Sequence, residues 1–259
     1  VRLHLVDGTF ELYRAHFSPR PDAPDKATRG LVASLRALLR DEEEAVTHLA
    51  VAFDNPIRSF RNDLYAGYKS DDGVPPELRA QFDAAEEAVR ALGVSVWSMD
   101  RFEADDAIGT AATRFADEVQ QVRILSPDKD FGQVLRGSRV VLVDRIRKAV
   151  IDEDAYRAKH GVGPKSVPDY LALVGDAADG IPGVPGIGEK TAAALLARYE
   201  KLERIPKDPD AWDVRVRGAD RVAAALREHA QSARLWRTLA TIVTDVPLEE
   251  DLGALAIVR

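Results

Sequence analysis

The chain has 259 residues, with 36 Lys and Arg against 43 Asp and Glu, a formal net charge of −7. Taken alone, that charge disfavours a partner as anionic as nucleic acid. The absence of cysteine excludes a disulfide framework, thiolate zinc sites and cysteine nucleophiles. A hydrophobic fraction of 46% with 31% charged residues is ordinary for a globular protein, and the length suffices for one large domain or two smaller ones. The five histidines (His4, His16, His48, His160, His229) never fall at a metal-binding helical spacing. No apolar run approaches the ~18 residues of a membrane span, and residues 1–6 are too short for a signal-peptide core. A soluble, cytoplasmic protein is expected.

In chain order, residues 3–6 read as a buried strand that runs into Asp7. Residues 18–27, with three prolines, read as a loop, and residues 31–40 have helical spacing of Leu, Val and Ala. A second strand at 49–53 ends at Asp54. Another loop follows at 70–76, then a helix at 82–92 and a strand at 94–97. A helix at 102–115 leads to strands at 122–125 and 140–143. Beyond about residue 155 the strand signal ends, and helices are expected at 167–174, 190–199, 220–229 and 233–243. The order implies an α/β domain over residues 1–160, with a mainly parallel sheet between helices, and a helical region over 161–259.

Three of these strands end in or just before an aspartate: Asp7, Asp54 and Asp128. In open parallel sheets the ligand crevice lies at the carboxyl ends of the strands, so the three can converge; alternatively each only caps the turn that follows. Glu103, Asp105 and Asp106 open the helix at 102–115, where acids are also favoured by the helix dipole. Residues three apart share a helical face, which pairs Glu103 with Asp106 and sets Asp105 to the side. Asp130, Asp176 and Asp179 bring the set to nine. Unit charges ~4 Å apart repel by several kcal/mol at an interfacial dielectric. The set therefore calls for hard divalent cations, Mg2+ or Mn2+. Two ions ~3.5–4 Å apart are the site typical of phosphodiester hydrolysis, which needs no histidine or cysteine.

Residues 181–191 read Ile-Pro-Gly-Val-Pro-Gly-Ile-Gly-Glu-Lys-Thr. A P-loop fails because Glu189 precedes Lys190-Thr191, and a dinucleotide fingerprint fails because Thr191 stands where its third glycine belongs. A helix, a glycine hairpin and a second helix fit. The hairpin amides of Gly183, Val184, Gly186, Ile187 and Gly188, with Lys190 and Thr191 at the helix start, make an anion site able to hold a nucleic-acid backbone. A plain helical corner is the alternative. At 59–69, basic and aromatic residues interleave, among them Arg61, Tyr68 and Lys69, as a substrate clamp or an ordinary amphipathic surface.

In this order the motifs resemble the 5′-nuclease superfamily: the 5′→3′ exonuclease domain of bacterial DNA polymerase I and its flap-endonuclease relatives. The residues that carry the resemblance are Val6-Asp7-Gly8 with Tyr13-Arg14, Phe53-Asp54, Phe60-Arg61 with Tyr68-Lys69, Glu103-Ala104-Asp105-Asp106 and Asp128-Lys129-Asp130. The stretch from Gly175-Asp176 to Gly188 and Thr244-Asp245-Val246-Pro247-Leu248 complete it. The resemblance implies a PIN-like core with a helix-hairpin-helix, and a free-standing nuclease or isolated domain. The activity it implies is 5′→3′ exonuclease and structure-specific flap endonuclease; the alternative is a catalytically silent DNA-structure-binding module of the same fold. By the same resemblance Asp7, Asp54, Glu103, Asp106, Asp128 and Asp130 make the shared acidic centre, with Asp105 nearby and Asp176 and Asp179 at a second metal. Arg61 and Lys69 grip the scissile phosphate, and Arg14 and Tyr68 join the DNA contacts. The hairpin binds duplex DNA with a potassium ion on its backbone carbonyls. DNA is the implied partner, with no membrane and no obligate protein. Three features depart from the pattern: Asp71 and Asp72 follow Lys69 where basic residues are usual, Gly180 replaces an Asn, and residues 70–79 are short for an arch over the 5′ strand.

Overall fold

The computed structural model describes residues 1–257. In its first half, β1 (Arg2–Asp7), α1 (Gly8–His16), α2 (Lys26–Arg40), β2 (His48–Asp54), α3 (Phe60–Leu64), α4 (Pro76–Arg79), α5 (Phe82–Arg90) and β3 (Ser95–Met99) follow one another. Then come α6 (Ala104–Phe115), β4 (Gln121–Leu125), β5 (Val140–Asp144), β6 (Ala149–Ile151) and α7 (Glu153–His160). The C-terminal part holds α8 (Val167–Val174), α9 (Glu189–Tyr199), α10 (Ala219–Glu228) and α11 (Ala230–Ala240). The strands form one six-stranded sheet in the order β3-β2-β1-β4-β5-β6, parallel except for the β5–β6 pair.

The strand sequences are near-continuous apolar runs because both faces of the sheet are covered. Leu3, Leu5, Ala50, Ala52, Val122 and Ile124 point into the cluster beneath α6 and the C-terminal helices. Val6, Leu49, Val51, Phe53, Leu125 and Val143 point into the cluster beneath α1, α2 and α5. The first cluster continues without a break into Leu171, Leu195, Trp236 and Leu239, so the C-terminal helices share the core of the sheet. Away from the site, His4 is fully buried and meets Glu44 at 3.0 Å, while Arg123 clasps the same carboxylate at 2.6 and 2.9 Å.

The five expected strands and the mainly parallel sheet are present. The differences lie where local signal is weak. Helix α1 fills residues to which the sequence pattern assigns no element, and α2 begins at Lys26, inside the expected loop. Residue 76 opens the single turn of α4, and α11 lies three residues earlier than its spacing suggests. The three-residue strand β6 and α7, whose only buried residue is Tyr156, have too little apolar pattern to read. No described helix is long and apolar enough to cross a membrane.

Candidate active site

The parallel strands β1, β2 and β4 deliver Asp7, Asp54 and Asp128 to one end of the sheet, where a cleft of about 560 Å³ is lined by all three together with Asp105 and Lys69. Each aspartate uses one oxygen as a cap. Asp7 Oδ1 accepts from the Phe10 amide at 2.8 Å, Asp54 Oδ1 from Ala104 at 2.7 Å and Asp128 Oδ1 from Asp130 at 2.9 Å. The capping role and the convergent role therefore coexist: the backbone bond fixes each carboxylate while the residue still lines the cleft, and Asp7 Oδ2 also accepts from the Ser126 hydroxyl at 3.2 Å.

The carboxylates strain against one another. Burial, then the charges of Asp54 and Asp128, pushes Asp7 up to about 7. Burial also lifts Asp54 to about 6, with Glu103 raising it further and Lys69 opposing. Asp105 lies well above the ordinary range from burial and its neighbours Asp7 and Asp128, and Asp130 from burial and Asp128. Asp130 Oδ1 is buried with no hydrogen-bond partner. A region that holds carboxylates this far from their ordinary ionisation is short of positive charge.

Two lysines supply part of it. Lys69 Nζ lies 3.0 Å from Glu103 and 3.1 Å from Asp179, and these anions drive its pKa well up against its burial. Lys129 binds Asp176 closely and lies 3.7 Å from Asp130; against its burial, the two push it up to about 12. The acids thus form two groups joined at Asp128: Asp7, Asp54 and Asp105 on one side, Asp130, Asp176 and Asp179 on the other. Among the described residues no three of them stand close enough to be a ready-made metal cage.

The second group is positioned by the loop after α8. Asp176 and Ile181 exchange backbone hydrogen bonds at 2.8 Å, and Lys69 donates its amide to Asp179 O at 3.1 Å. Gly180 has φ +73°, and a Cβ there would come within 2.1 Å of Gly67 O. This close approach seats the Asp179 turn on the Lys69 segment. Beyond it, Gly186 and Gly188 face open space at the start of α9, with Lys190 exposed beside them.

Several expected roles change. Arg61, expected at a phosphate, is 2% exposed here and faces inward. Its Nη1 and Nη2 bind the two Asp106 oxygens at 2.7 and 2.8 Å, Nε donates to Leu239 O, and Nη2 also to Thr241 O. Asp106 is fully buried in that pair and also accepts from the Glu103 and Val243 amides. It is thereby separated from the cleft, while Asp105 is the residue of the pair that enters it. Glu103 sits between, its pKa held down against burial by Lys69 and Arg61. Tyr68 is 4% exposed and cannot stack on a base; its hydroxyl reaches Glu103 and Asp179 at 3.2 and 3.4 Å. Val184 and Ile187 are buried pins of the hairpin, so only their backbone faces a ligand. Arg14 pairs with Glu11 and reaches Ser34. In place of a free arch, residues 70–79 fold down: Leu78 is fully buried and Arg79 pairs with Asp71 at 3.5 Å. Lys159 and His160, which nothing in the local sequence singles out, line the cleft from the end of α7.

A parallel sheet carrying Asp7, Asp54 and Asp128 to one cleft, with Asp176 and Asp179 brought in by a glycine hairpin, finds its counterpart in known proteins. A family model described as 5′-3′ exonuclease, N-terminal resolvase-like domain, matches residues 2–161, and one described as 5′-3′ exonuclease, C-terminal SAM fold, matches residues 162–259. The chain belongs to the 5′-3′ exonuclease family. It is 38% identical over 267 residues to DNA polymerase I of Pseudomonas aeruginosa, covering 98% of this chain and 28% of that protein. The match to DNA polymerase I of Bacillus caldotenax is 36%, covering 98% and 29%. The exonuclease-family chain thus spans under a third of the length of these relatives. Among solved structures, the bacteriophage T5 5′-exonuclease with zinc bound superposes at a TM-score of 0.76 with 17% identity, over 94% of this chain and 90% of that one. The T5 D15 flap endonuclease in a pseudo-enzyme–product complex with DNA and metal ions gives 0.71 at 18% identity, over the same shares. At these identities the likeness concerns the fold.

Proposed function

We propose that this protein is a divalent-metal-dependent phosphodiesterase that cuts DNA from or near 5′ ends, 5′ flaps included, with residues 1–160 as the nuclease core and residues 161–259 as a DNA-binding region. The observation that carries the proposal is the set of carboxylates held at the strand ends with raised pKa values, including Asp130, whose buried Oδ1 receives no hydrogen bond from a described residue and only a 3.7 Å approach from Lys129. An all-oxygen donor set short of positive charge fits Mg2+ or Mn2+. Asp7, Asp54, Asp105 and Asp128 would draw together around one ion, and Asp130, Asp176 and Asp179 around the other, with Glu103 between, since among the described residues neither set is already gathered as a cage. When bound, two such ions activate water and stabilise charge at phosphorus.

The chain's own residues orient the substrate. Lys69, 23% exposed at the cleft, would exchange its pairs with Glu103 and Asp179 for a phosphate oxygen once cations neutralise those acids, and a cation positioned there favours the charge that builds up in the transition state. The amides of residues 183–188 and the N-terminus of α9, with Lys190 and Thr191, would hold a duplex phosphate without reading bases. The backbone carbonyls of that hairpin are the proposed seat of a potassium ion. The T5 relative's complex with DNA and metal ions supports the same reading.

The test is cleavage of a 5′-labelled flap duplex with Mg2+ and with EDTA, by the parent and by Asp128→Asn. Asparagine keeps the oxygen that caps Asp130 and removes the charge. We expect cleavage only with Mg2+, and a loss of 100-fold or more in the variant with DNA binding retained. Turnover by Asp128→Asn at the parent rate, or cleavage in EDTA, would refute the proposal.

A further inference from the structure

Three lysines line the acidic cleft: Lys69, Lys129 and Lys159. Two are committed. Lys69 is shared by Glu103 and Asp179, and Lys129 by Asp176 and Asp130. Lys159 is exposed and forms no ion pair or hydrogen bond with any described residue. It is the one lysine of the cleft wall whose charge is free for an incoming anion.

Its support is rigid. Lys159 is the penultimate residue of α7, and the helix is tied to the segment that carries Asp128 and Asp130. Tyr156, 2% exposed, donates its hydroxyl to Lys129 O at 2.9 Å. Its ring lies where a Cβ on Gly132 would come within 2.1 Å, so only glycine there lets the helix seat this closely. On the other side the Tyr156 ring stacks on His160, with centroids 4.4 Å apart and planes at 30°. A flexible cation is thus presented from a fixed helix end to a cleft that is also lined by the partly buried rings of Phe10 and Tyr13.

We propose that Lys159 is a phosphate-binding residue of this cleft, holding a backbone phosphate next to the one under attack. The ligand class is a polynucleotide strand, because the cleft floor is acidic and a lone small anion would meet net repulsion there. A strand instead places one phosphate on the catalytic acids and their cations while its neighbour meets Lys159. Lys159 acts by positioning: it binds a phosphate that is not broken. The inference rests on the nuclease reading above.

The experiment compares the parent, Lys159→Ala and Lys159→Arg for binding to a 5′-flap DNA in EDTA, by fluorescence anisotropy between 50 and 200 mM salt. Metal-free conditions separate binding from turnover. Loss of one phosphate contact lowers the slope of log K against log salt by about 0.7–0.9. The expected result for Lys159→Ala is that decrease, with affinity about 5- to 10-fold weaker at low salt, an unchanged urea midpoint, and recovery of affinity and slope in Lys159→Arg. Equal affinity and slope for the parent and Lys159→Ala overturn the assignment, as does a loss that Arg does not recover. If neither the parent in EDTA nor the cleavage-deficient Asp128→Asn chain in Mg2+ shows salt-dependent DNA binding, the nuclease reading fails and takes this inference with it.

Discussion

The buried Arg61 offers a sharp test, because a phosphate-gripping arginine and a structural one predict opposite phenotypes. In Arg61→Met the side-chain volume is roughly kept and the charge is lost. The structure shows what is stranded: the Asp106 carboxylate, fully buried, loses the contacts at 2.7 and 2.8 Å, and the carbonyls of Leu239 and Thr241 lose a donor each at 2.7 Å. Removing one partner of a buried ion pair costs about 3–5 kcal/mol, and each unsatisfied buried carbonyl about 1–3 kcal/mol. These overlap, since Asp106 keeps the Glu103 and Val243 amides, and relaxation will reach part of the rest. About 4–6 kcal/mol is the working magnitude. That is a large share of the ~5–15 kcal/mol typical of a folded domain, and about 2–4 °C of melting temperature per kcal/mol. The assay is urea unfolding with thermal melting, beside flap-DNA affinity in EDTA at a temperature where the variant is folded. Arg61→Met should unfold at much lower urea while its folded fraction binds DNA within about 2-fold of the parent. An unchanged urea midpoint with a 10-fold loss of DNA affinity would show that Arg61 meets the substrate.

Two further predictions concern protonation, and their pH windows differ. Glu44 is held down to about 2, by its bonds to His4 against partial burial and then by Arg123. A depressed carboxylate stabilises the fold above its unfolded pKa of ~4.3, and the benefit is lost as pH falls toward 2. Discounted for its partial exposure, Glu44→Gln should cost about 1–2 kcal/mol at pH 7 by urea unfolding and much less near pH 2.5; an equal cost at both would contradict the ion-pair account. Asp7 and Asp54 have the opposite sign. Their folded values, about 7 and about 6, lie above the unfolded range, so they favour the fold below pH ~4 and lose that effect as pH rises through 6 and 7. In EDTA the melting temperature should therefore fall between pH ~4 and ~7, and Mg2+ should reverse the fall; a flat profile in EDTA would argue against mutual repulsion in the cleft.

Local chemistry was enough for much of the molecule. The strands were readable because burial on both faces makes them apolar runs, and the carboxylates at their ends were readable because parallel strands deliver their carboxyl termini to one edge. The hairpin was readable because Pro and Gly at fixed spacing admit few backbone paths. What residues 59–69 do was not readable. On the single turn of α3, basic and aromatic residues alternate without a face, and the side Arg61 takes is set by Asp106, Leu239 and Thr241, far along the chain. The same pair removes Asp106 from the cleft and leaves Asp105 there, although the resemblance sets Asp106 in the acidic centre and Asp105 beside it. Lys159 and His160 were silent for a related reason: α7 is polar except for Tyr156, and only the packing of that ring over Gly132 turns the helix end toward the cleft.

The sequence by itself determined the fold class and an acidic centre, because those rest on composition and spacing within a few residues, and it pointed to the family through the resemblance of its ordered motifs. Tertiary structure alone decided which acids face the cleft, which cations are already spent on them, and which one is left over. Those are outcomes of contacts between segments up to 180 residues apart. The net charge of −7 shows how the two levels divide: its size is a property of the sequence, but that many of the acids repel one another at a single cleft instead of repelling DNA across the surface follows from the fold.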